Sequence, residues 1–510
     1  MKKYNFLIII ISLAGILSFS SCGDDFLTTS SAGKEEIGGG AADETRVLSF
    51  LGSAYQILLF DSYAGGNYNS IVLMSDLRSD DLYKGGENAS DQAALYRLAT
   101  FTSSGTETVM GPWTIYYPGI ARCNNTIMAC ENAEGIEEAK LNKYKAEAHL
   151  LRAYYTHILW KVYGNIPYFT APLEEPFLAK QYSADEIYNF IMEDLEIACR
   201  QGVLPMHATG PDLGRVSRAA ALMLKARVVL YQKDQARYPE VTREMAEIIN
   251  SGQFSLFEDF SAMWLDENEF NKESIFETNQ LPEGKTWGDS WQGYGTNLPA
   301  FISPNSLNDP AGIYNAGWGF APVRPAAYNM YESGDLRRDA SIILWPAGSY
   351  TPRFQNTGYF MHKYAARKGY NPPPGDTDLN YCNNLRIFRY AETLLNYVEL
   401  VKMHGQAEQG PSAQDCFDQI RRRAFGMDKS IPATPENIKM ERRREFMGEG
   451  HRFWDLVRWG DAASVLTEND VNMNSVRTFE EWKKYAPIPQ TEIEKTRNTE
   501  FELKQNQGWN

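Results

Sequence analysis

Residues 141–162, LNKYKAEAHLLRAYYTHILWKV, place Leu141, Tyr144, Ala148, Leu151, Tyr155, Ile158 and Val162 at alternating steps of three and four. Steps of that size return to one face of a helix with 3.6 residues per turn, so the spacing predicts one long helix with an apolar stripe. The same period recurs along the chain. Ser183 and Glu186 have the spacing of a capping box, with Tyr182 and Ile187 as its expected hydrophobic staple, ahead of Phe190, Ile191, Leu195 and Ala198. Ala219, Leu222, Ala226 and Val229 mark another helix. Ile387, Tyr390, Ala391, Leu394, Leu395 and Val398 mark a longer one, with Gly405 as its stop. Thr434 and Pro435 read as N-cap and first helical residue of the last major helix. Helices also fit residues 42–60, 112–132, 236–250 and 412–424. Ala148, Ala219, Ala226 and Ala391 are small residues inside these stripes and allow close helix pairs of the tetratricopeptide-like kind. The period itself gives pairs; the solenoid is only suggested by it. The predicted class is mainly α.

The middle breaks this pattern. Residues 251–384 lack long periodic runs and are rich in Gly, Pro, Asn and aromatics, so a large loop-rich insertion is expected between helical segments 41–250 and 385–510. From Trp287 to Tyr331 there are nine aromatics, six Gly and five Pro but only three charges, Asp289, Asp309 and Arg324. Amides at Gln292, Asn297, Asn305, Asn308, Asn315 and Asn329 stand where charges would be. A neutral sugar offers an apolar C–H face and a rim of hydroxyls. Rings match the face, and planar amides donate and accept at once to the rim. The competing reading is that these rings pack a subdomain short of aliphatic residues. Trp287, Trp291, Tyr294 and Trp318 are chosen as binding candidates for ring area, Gly-rich surroundings and low local charge.

Composition narrows the alternatives. The chain has 510 residues, 43% hydrophobic and 23% charged, enough for a sizeable core. A net charge of −15 argues against bulk binding to phosphate backbones. Lys2 and Lys3 precede an apolar stretch from Phe6 to Phe19 that is too short to span a bilayer comfortably and ends in Ser20-Ser21-Cys22. That pattern resembles a bacterial lipoprotein signal, residues 1–21, cleaved before Cys22, which would then be lipidated. Gly23-Asp24-Asp25 resembles the surface-export signal of Bacteroidota lipoproteins. Residues 22–40 then form a lipidated tether, and residues 41–510 a single domain. No later stretch reaches 18 uninterrupted apolar residues, so the lipid is the only membrane attachment expected. The other cysteines, at 123, 130, 199, 382 and 416, are odd in number and irregular in spacing, which is no disulfide framework. The six histidines lack ligand spacing, and neither CxxC nor HExxH occurs, so neither a metal nor a cofactor is expected.

The arginine-rich run ERRREFMGEGHRFWDLVRWG (441–460), with Arg421, Arg422 and Arg423 upstream, looks at first like a nucleic-acid patch. Glu441, Glu445, Glu449 and Asp455 interleave with it. Arg442–Glu445, Glu449–Arg452 and Arg452–Asp455 stand at i,i+3, so a self-neutralised helix face is expected, with Trp454 and Trp459 in the core. The same run is close to the C-terminal pattern of the SusD/RagB family. YAPIPQTEI (485–493), QNQGW (505–509), RAYYTHILWKVYGNIPYFT (152–170), GRVSRAAALMLKARVVLYQ (214–232) and LRIFRYAETLLNYVELV (385–401) agree with that family in the same order. As a set these blocks resemble SusD/RagB nutrient-binding lipoproteins over nearly the whole mature chain.

That resemblance implies a SusD-like fold of tetratricopeptide-like helix pairs cradling an irregular region. It also implies a non-catalytic role at the cell surface: binding a nutrient, usually a glycan, and acting as a lid on a TonB-dependent SusC-like barrel in the outer membrane. Ligand contacts in the family vary with the nutrient and come from the middle region and the loops after the first helix. Here those loops are residues 61–108, with Asp80, Asp81, Tyr83 and Asn88, of which Tyr83 and Asn88 are secondary choices for the ligand. Two other functions stay open. A glycoside hydrolase needs two carboxyls about 5–9 Å apart, and Asp289 and Asp309 are the pair on offer. A helical-repeat lipoprotein that binds only peptide or protein is the third.

Overall fold

The computed structural model describes residues 42–60, 63–64, 67–68, 70–282, 284–288 and 294–509. The signal segment, Cys22, Asp24, Asp25, the tether, Asp289 and Trp291 lie outside the described residues. From Ala42 on, the chain forms one compact unit.

The helical frame follows the predicted stripes. Its long members are α1 (Glu44–Gln56), α2 (Gly111–Glu131), α3 (Glu138–Tyr163), α4 (Ala184–Ala198), α5 (Arg218–Gln232) and α6 (Tyr238–Asn250) before the insertion. After it come α7 (Tyr390–Lys402), α8 (Ala413–Phe425), α9 (Pro435–Glu445) and α10 (Arg452–Trp459). Each helix from α1 to α8 packs on the next, so α6 meets α7 directly across the inserted sequence, while α9 packs on α7 and α10 on α5. The Ser183–Glu186 capping box is present with both of its hydrogen bonds. Thr434 caps α9 and Pro435 is its first residue. Tyr182 packs edge-on against Phe190, at 5.0 Å between ring centroids.

The stripe on α3 is only part of what that helix buries. Tyr144, Ala148, Leu151, Tyr155, Ile158 and Val162 are buried as expected, but from Leu150 to Tyr163 every residue is buried. α3 lies between α2 and α4, and the Tyr155 hydroxyl also reaches the Ala54 carbonyl on α1 at 2.7 Å. Gly119 sets the closeness of α2 to α3: a Cβ there would come within 2.6 Å of the Tyr155 ring. Tyr116 stacks on that ring one turn earlier, at 5.7 Å and 20°. The five cysteines of this unit are free thiols, with Cys123, Cys130 and Cys416 buried like small apolar residues.

Three sequence expectations are corrected. Ile387 is not in the helix: it sits in β2 (Arg386–Arg389), which pairs antiparallel with β1 (Ser274–Glu277), and α7 starts at Tyr390. Residues 61–108 are not all loop, since Ile71–Asp76 and Ala93–Thr100 are helical. The arginine run is neutralised across the fold more than along its own helix. Glu445, fully buried, meets Arg337 and Arg389 at 3.1 Å each and Arg423 as well. Glu449 holds Arg389 at 2.8 Å and Lys363 at 2.6 Å, while Arg452 reaches Asp80 at 2.8 Å and Arg444 reaches Glu332 at 2.7 Å. Arg442 pairs with Asp455 at 3.2 Å, and only Arg458–Asp455 is a close i,i+3 pair here. Trp454 is buried as expected; Trp459 is half-buried and donates its indole N–H to Glu399 at 3.1 Å.

Candidate functional site

The insertion carries its own short elements: helices Leu298–Ile302, Pro325–Asn329 and Arg337–Ser341, and a hairpin of Ile342–Leu344 with Tyr359–Met361. One loop rises between Leu281 and Tyr294, which bridge at its base. It is tied to residues 376–381 through Thr296 and Tyr381, which exchange backbone hydrogen bonds of 2.9 and 3.1 Å. The Asn380 side chain also bonds the backbone N–H and carbonyl of Lys285, at 2.9 and 2.8 Å.

This scaffold brings Trp287 and Trp318 together. Their ring centroids are 5.7 Å apart and the planes are inclined by 33°, so they form one bent aromatic platform. Trp287 is 42% exposed and Trp318 half-buried. Each is held by an aspartate: the Trp287 backbone N–H donates to Asp376 at 2.8 Å, and the Trp318 indole N–H donates to Asp378 at 3.1 Å. Behind Trp318 lie Phe301 and Tyr68, at 6.0 and 5.8 Å between centroids, both near edge-on. The backbone of Trp318 is fixed by the bond from its N–H to Ala300 at 2.8 Å, and the neighbouring Gly317 allows it, since a Cβ there would stand 2.3 Å from the Ala300 carbonyl. Beside the platform, Asn315 donates to Asn371 and to the Tyr381 hydroxyl at 3.3 and 3.2 Å, and Tyr381 and Tyr370 pack with Trp318.

The other sequence candidates are elsewhere. Tyr294 lines a separate cavity of about 350 Å³ with Ser53, Gln56 and Leu59 from the end of α1 and the turn after it. Its ring makes no aromatic contact with the tryptophan pair among the described residues. Tyr83 is only 6% exposed, its hydroxyl is bonded to Asp470 at 3.2 Å, and the Arg324 guanidinium covers its ring at 4.0 Å. A ring so enclosed offers no face to a ligand. Arg324, the cation an acidic sugar would need, is likewise buried and occupied by Glu468 at 2.7 Å and Ser475 at 3.2 Å. Asn88 is exposed, but its side-chain oxygen closes a turn by accepting from Ser90 and Asp91 at 2.8 and 3.1 Å. Asp309 spends its carboxylate on the backbone N–H groups of Ala311, Ile313 and Tyr314, at 3.0, 2.7 and 2.9 Å. Asp376, Asp378 and Asn371 escaped the sequence reading because they lie beyond the aromatic window, in NPPPGDTDLN (371–380); its turn-forming Pro-Gly run was the signal available. No cluster of metal-ligating side chains occurs among the described residues, and no described helix is long and apolar enough to cross a membrane.

A helical array that carries a loop-borne aromatic platform is the architecture of a class of surface binding proteins, and the comparisons agree. Residues 267–509 match the SusD family, and residues 53–230 match a family described as starch-binding, associating with outer membrane. Surface glycan-binding protein A from Bacteroides fluxus is 69% identical and superposes with a TM-score of 0.89, over 92% of this chain and 100% of its own. Surface glycan-binding protein A from Bacteroides thetaiotaomicron, solved in complex with laminarihexaose, is 35% identical with a TM-score of 0.85, over 91% of this chain and 100% of its own. Among curated sequences, SusD-like protein P25 from Formosa agariphila is 25% identical over 76% of this chain and 77% of its own. The chain belongs to the SusD family.

Proposed function

We propose that this protein is a non-catalytic, surface-exposed glycan-binding lipoprotein, that its ligand is a neutral β-glucan of the laminarin type, and that it hands this ligand to a SusC-like TonB-dependent transporter. The Trp287–Trp318 platform carries the reading. Two rings inclined by 33° suit a chain whose successive sugars turn relative to one another, as β-1,3-linked glucoses do, better than a flat ribbon. The similar Bacteroides thetaiotaomicron protein holds laminarihexaose, which points the same way. Asp309, engaged by three backbone N–H groups, is poorly placed to serve as a hydrolytic acid or base. Anchoring would come from lipidated Cys22, and Trp291, four residues after Trp287 in the sequence, would be a further ring for the ligand.

Isothermal titration with laminarihexaose and, in parallel, with its β-1,4-linked counterpart tests the ligand. Binding of the first and not the second is expected, with no release of reducing ends. Equal binding of both would sink the linkage assignment, and turnover would sink the non-catalytic one. Palmitate labelling that survives Cys22→Ala would remove the anchor, and failure to co-purify with the transporter barrel would remove the partner.

A further inference from the structure

The segment Gly450–Arg458 closes over a small polar cavity of about 30 Å³ between α3, α5, α7, α9 and α10. Its lining carries four cationic side chains, Lys161, Arg227, Arg442 and Arg458, against two carboxylates, Glu392 and Asp455. The carboxylates are already taken. Arg227 holds Glu392 at 2.6 and 2.7 Å, and Arg442 and Arg458 hold Asp455 at 3.2 and 2.8 Å. Arg458 also holds Glu399 at 2.7 Å, behind the lining. His451 places Nε2 3.4 Å from an Arg227 N–H. Burial and then Arg227 and Arg442 push its imidazolium far below the usual range, so the ring is neutral and adds no charge of either sign.

Two groups are left over. Lys161 is 6% exposed and has no hydrogen-bond acceptor or ion-pair partner among the described residues; its Nζ lies 5.3 and 5.5 Å from the Tyr231 and Trp454 ring centroids. Asn396 is 1% exposed; its oxygen accepts from Arg442 at 2.9 Å and its Nδ2 has no partner. An ammonium has three donors and no acceptor, and burying it without a counter-charge is costly. Ring faces alone offset little of that. The cavity exceeds the roughly 10–15 Å³ that one water requires.

We propose that this cavity is a binding site for a small monovalent anion of halide size, held by the Lys161 ammonium and the Asn396 amide N–H. The anion neutralises the surplus cation and joins α3 to α7 beneath the Gly-His-Arg segment. Burial pushes the Lys161 ammonium down to about 7, so a bound anion is also what keeps that proton in place at neutral pH.

The test is crystallisation of the full soluble chain in bromide, with an anomalous map, beside thermal unfolding in chloride and in gluconate at equal ionic strength. An anomalous peak between Lys161 and Asn396 is expected, with a melting temperature that rises by about 2–3 °C over a hundredfold increase in chloride but not in gluconate. Asn396→Asp keeps the acceptor for Arg442 and places a carboxylate next to Lys161; it should fold, lose the peak and lose the chloride dependence. Lys161→Met should lose both as well, and serves as a second check. A cavity holding water only, with no bromide peak and identical melting in the two salts, overturns the proposal, as does a chloride dependence that persists in Asn396→Asp.

Discussion

Asp378 accepts the indole N–H of Trp318 at 3.1 Å, and that bond fixes the ring over which Trp287 leans. Truncating a central aromatic anchor often costs about 2 kcal/mol or more, roughly thirtyfold in Kd. Trp287→Ala and Trp318→Ala should each weaken laminarihexaose binding by about that factor. Asp378→Ala should weaken it less, because the ring remains but is no longer aimed. Isothermal titration at low and high salt checks the set, and the wild-type affinity should barely move, since screening acts mainly between charges. Wild-type affinity in both tryptophan variants, if folded, would make the platform core packing.

Glu445 is the centre of the buried ionic network. Burial alone would raise its carboxyl, but Arg423, Arg389 and Arg337 outweigh burial and hold it well below the usual range. Asp80 is likewise lowered to about 2, with burial opposing and Arg443 and Arg452 prevailing. Carboxyls depressed in the folded state stabilise it above their unfolded value of about 4, and that share is lost as pH falls toward 2. Glu445→Ala should therefore cost about 3–5 kcal/mol at neutral pH, because it strands buried guanidinium groups. Its acid-unfolding limb should be shallower than wild type. Urea unfolding across pH 2–6, as a rough range, reads both effects.

Asp76 has the opposite sign. Burial raises its carboxyl to about 8, against a single backbone N–H from Gly450 at 2.9 Å. The folded chain therefore keeps a proton that the unfolded chain gives up near pH 4, and stability falls as pH rises from about 4 to about 8. Asp76→Asn should flatten that slope, gaining on wild type most at the alkaline end. Glu269, also raised to about 8, keeps a share of the slope in the variant. Equal slopes in the two proteins would contradict the assignment.

Tyr83 serves as a structural strut. Tyr83→Phe removes its bond to Asp470 and should lower stability by about 1 kcal/mol, leaving laminarihexaose affinity unchanged. A stable Tyr83→Phe protein with lost binding would return Tyr83 to the ligand face.

What the sequence made legible, and what it hid, divides along physical lines. Caps and stripes are local, so Ser183–Glu186, Thr434–Pro435 and the α3 stripe could be read directly. Ile387 could not, because a short buried strand and a helix start look alike, and its partner Phe276 neighbourhood lies more than a hundred residues away in sequence. The arginines were read along one helix, whereas Arg452 finds Asp80 and Arg444 finds Glu332 only through the fold. In the candidate site, composition singled out Trp287 and Trp318 but could not say that Tyr83 faces inward or that Tyr294 opens on another cavity. Ring area is visible in sequence; which side of a loop a ring occupies is not.

The pairing of β1 with β2 joins the two ends of the insertion just before α7 begins, and buried Glu273 beside it holds both Arg389 and Arg423. Residues 278–385 thus leave and return at one clasp. The entropic cost of such a closed loop grows only logarithmically with its length. The helical stack can therefore stay unchanged while the cassette beyond the clasp is lengthened, trimmed or relined.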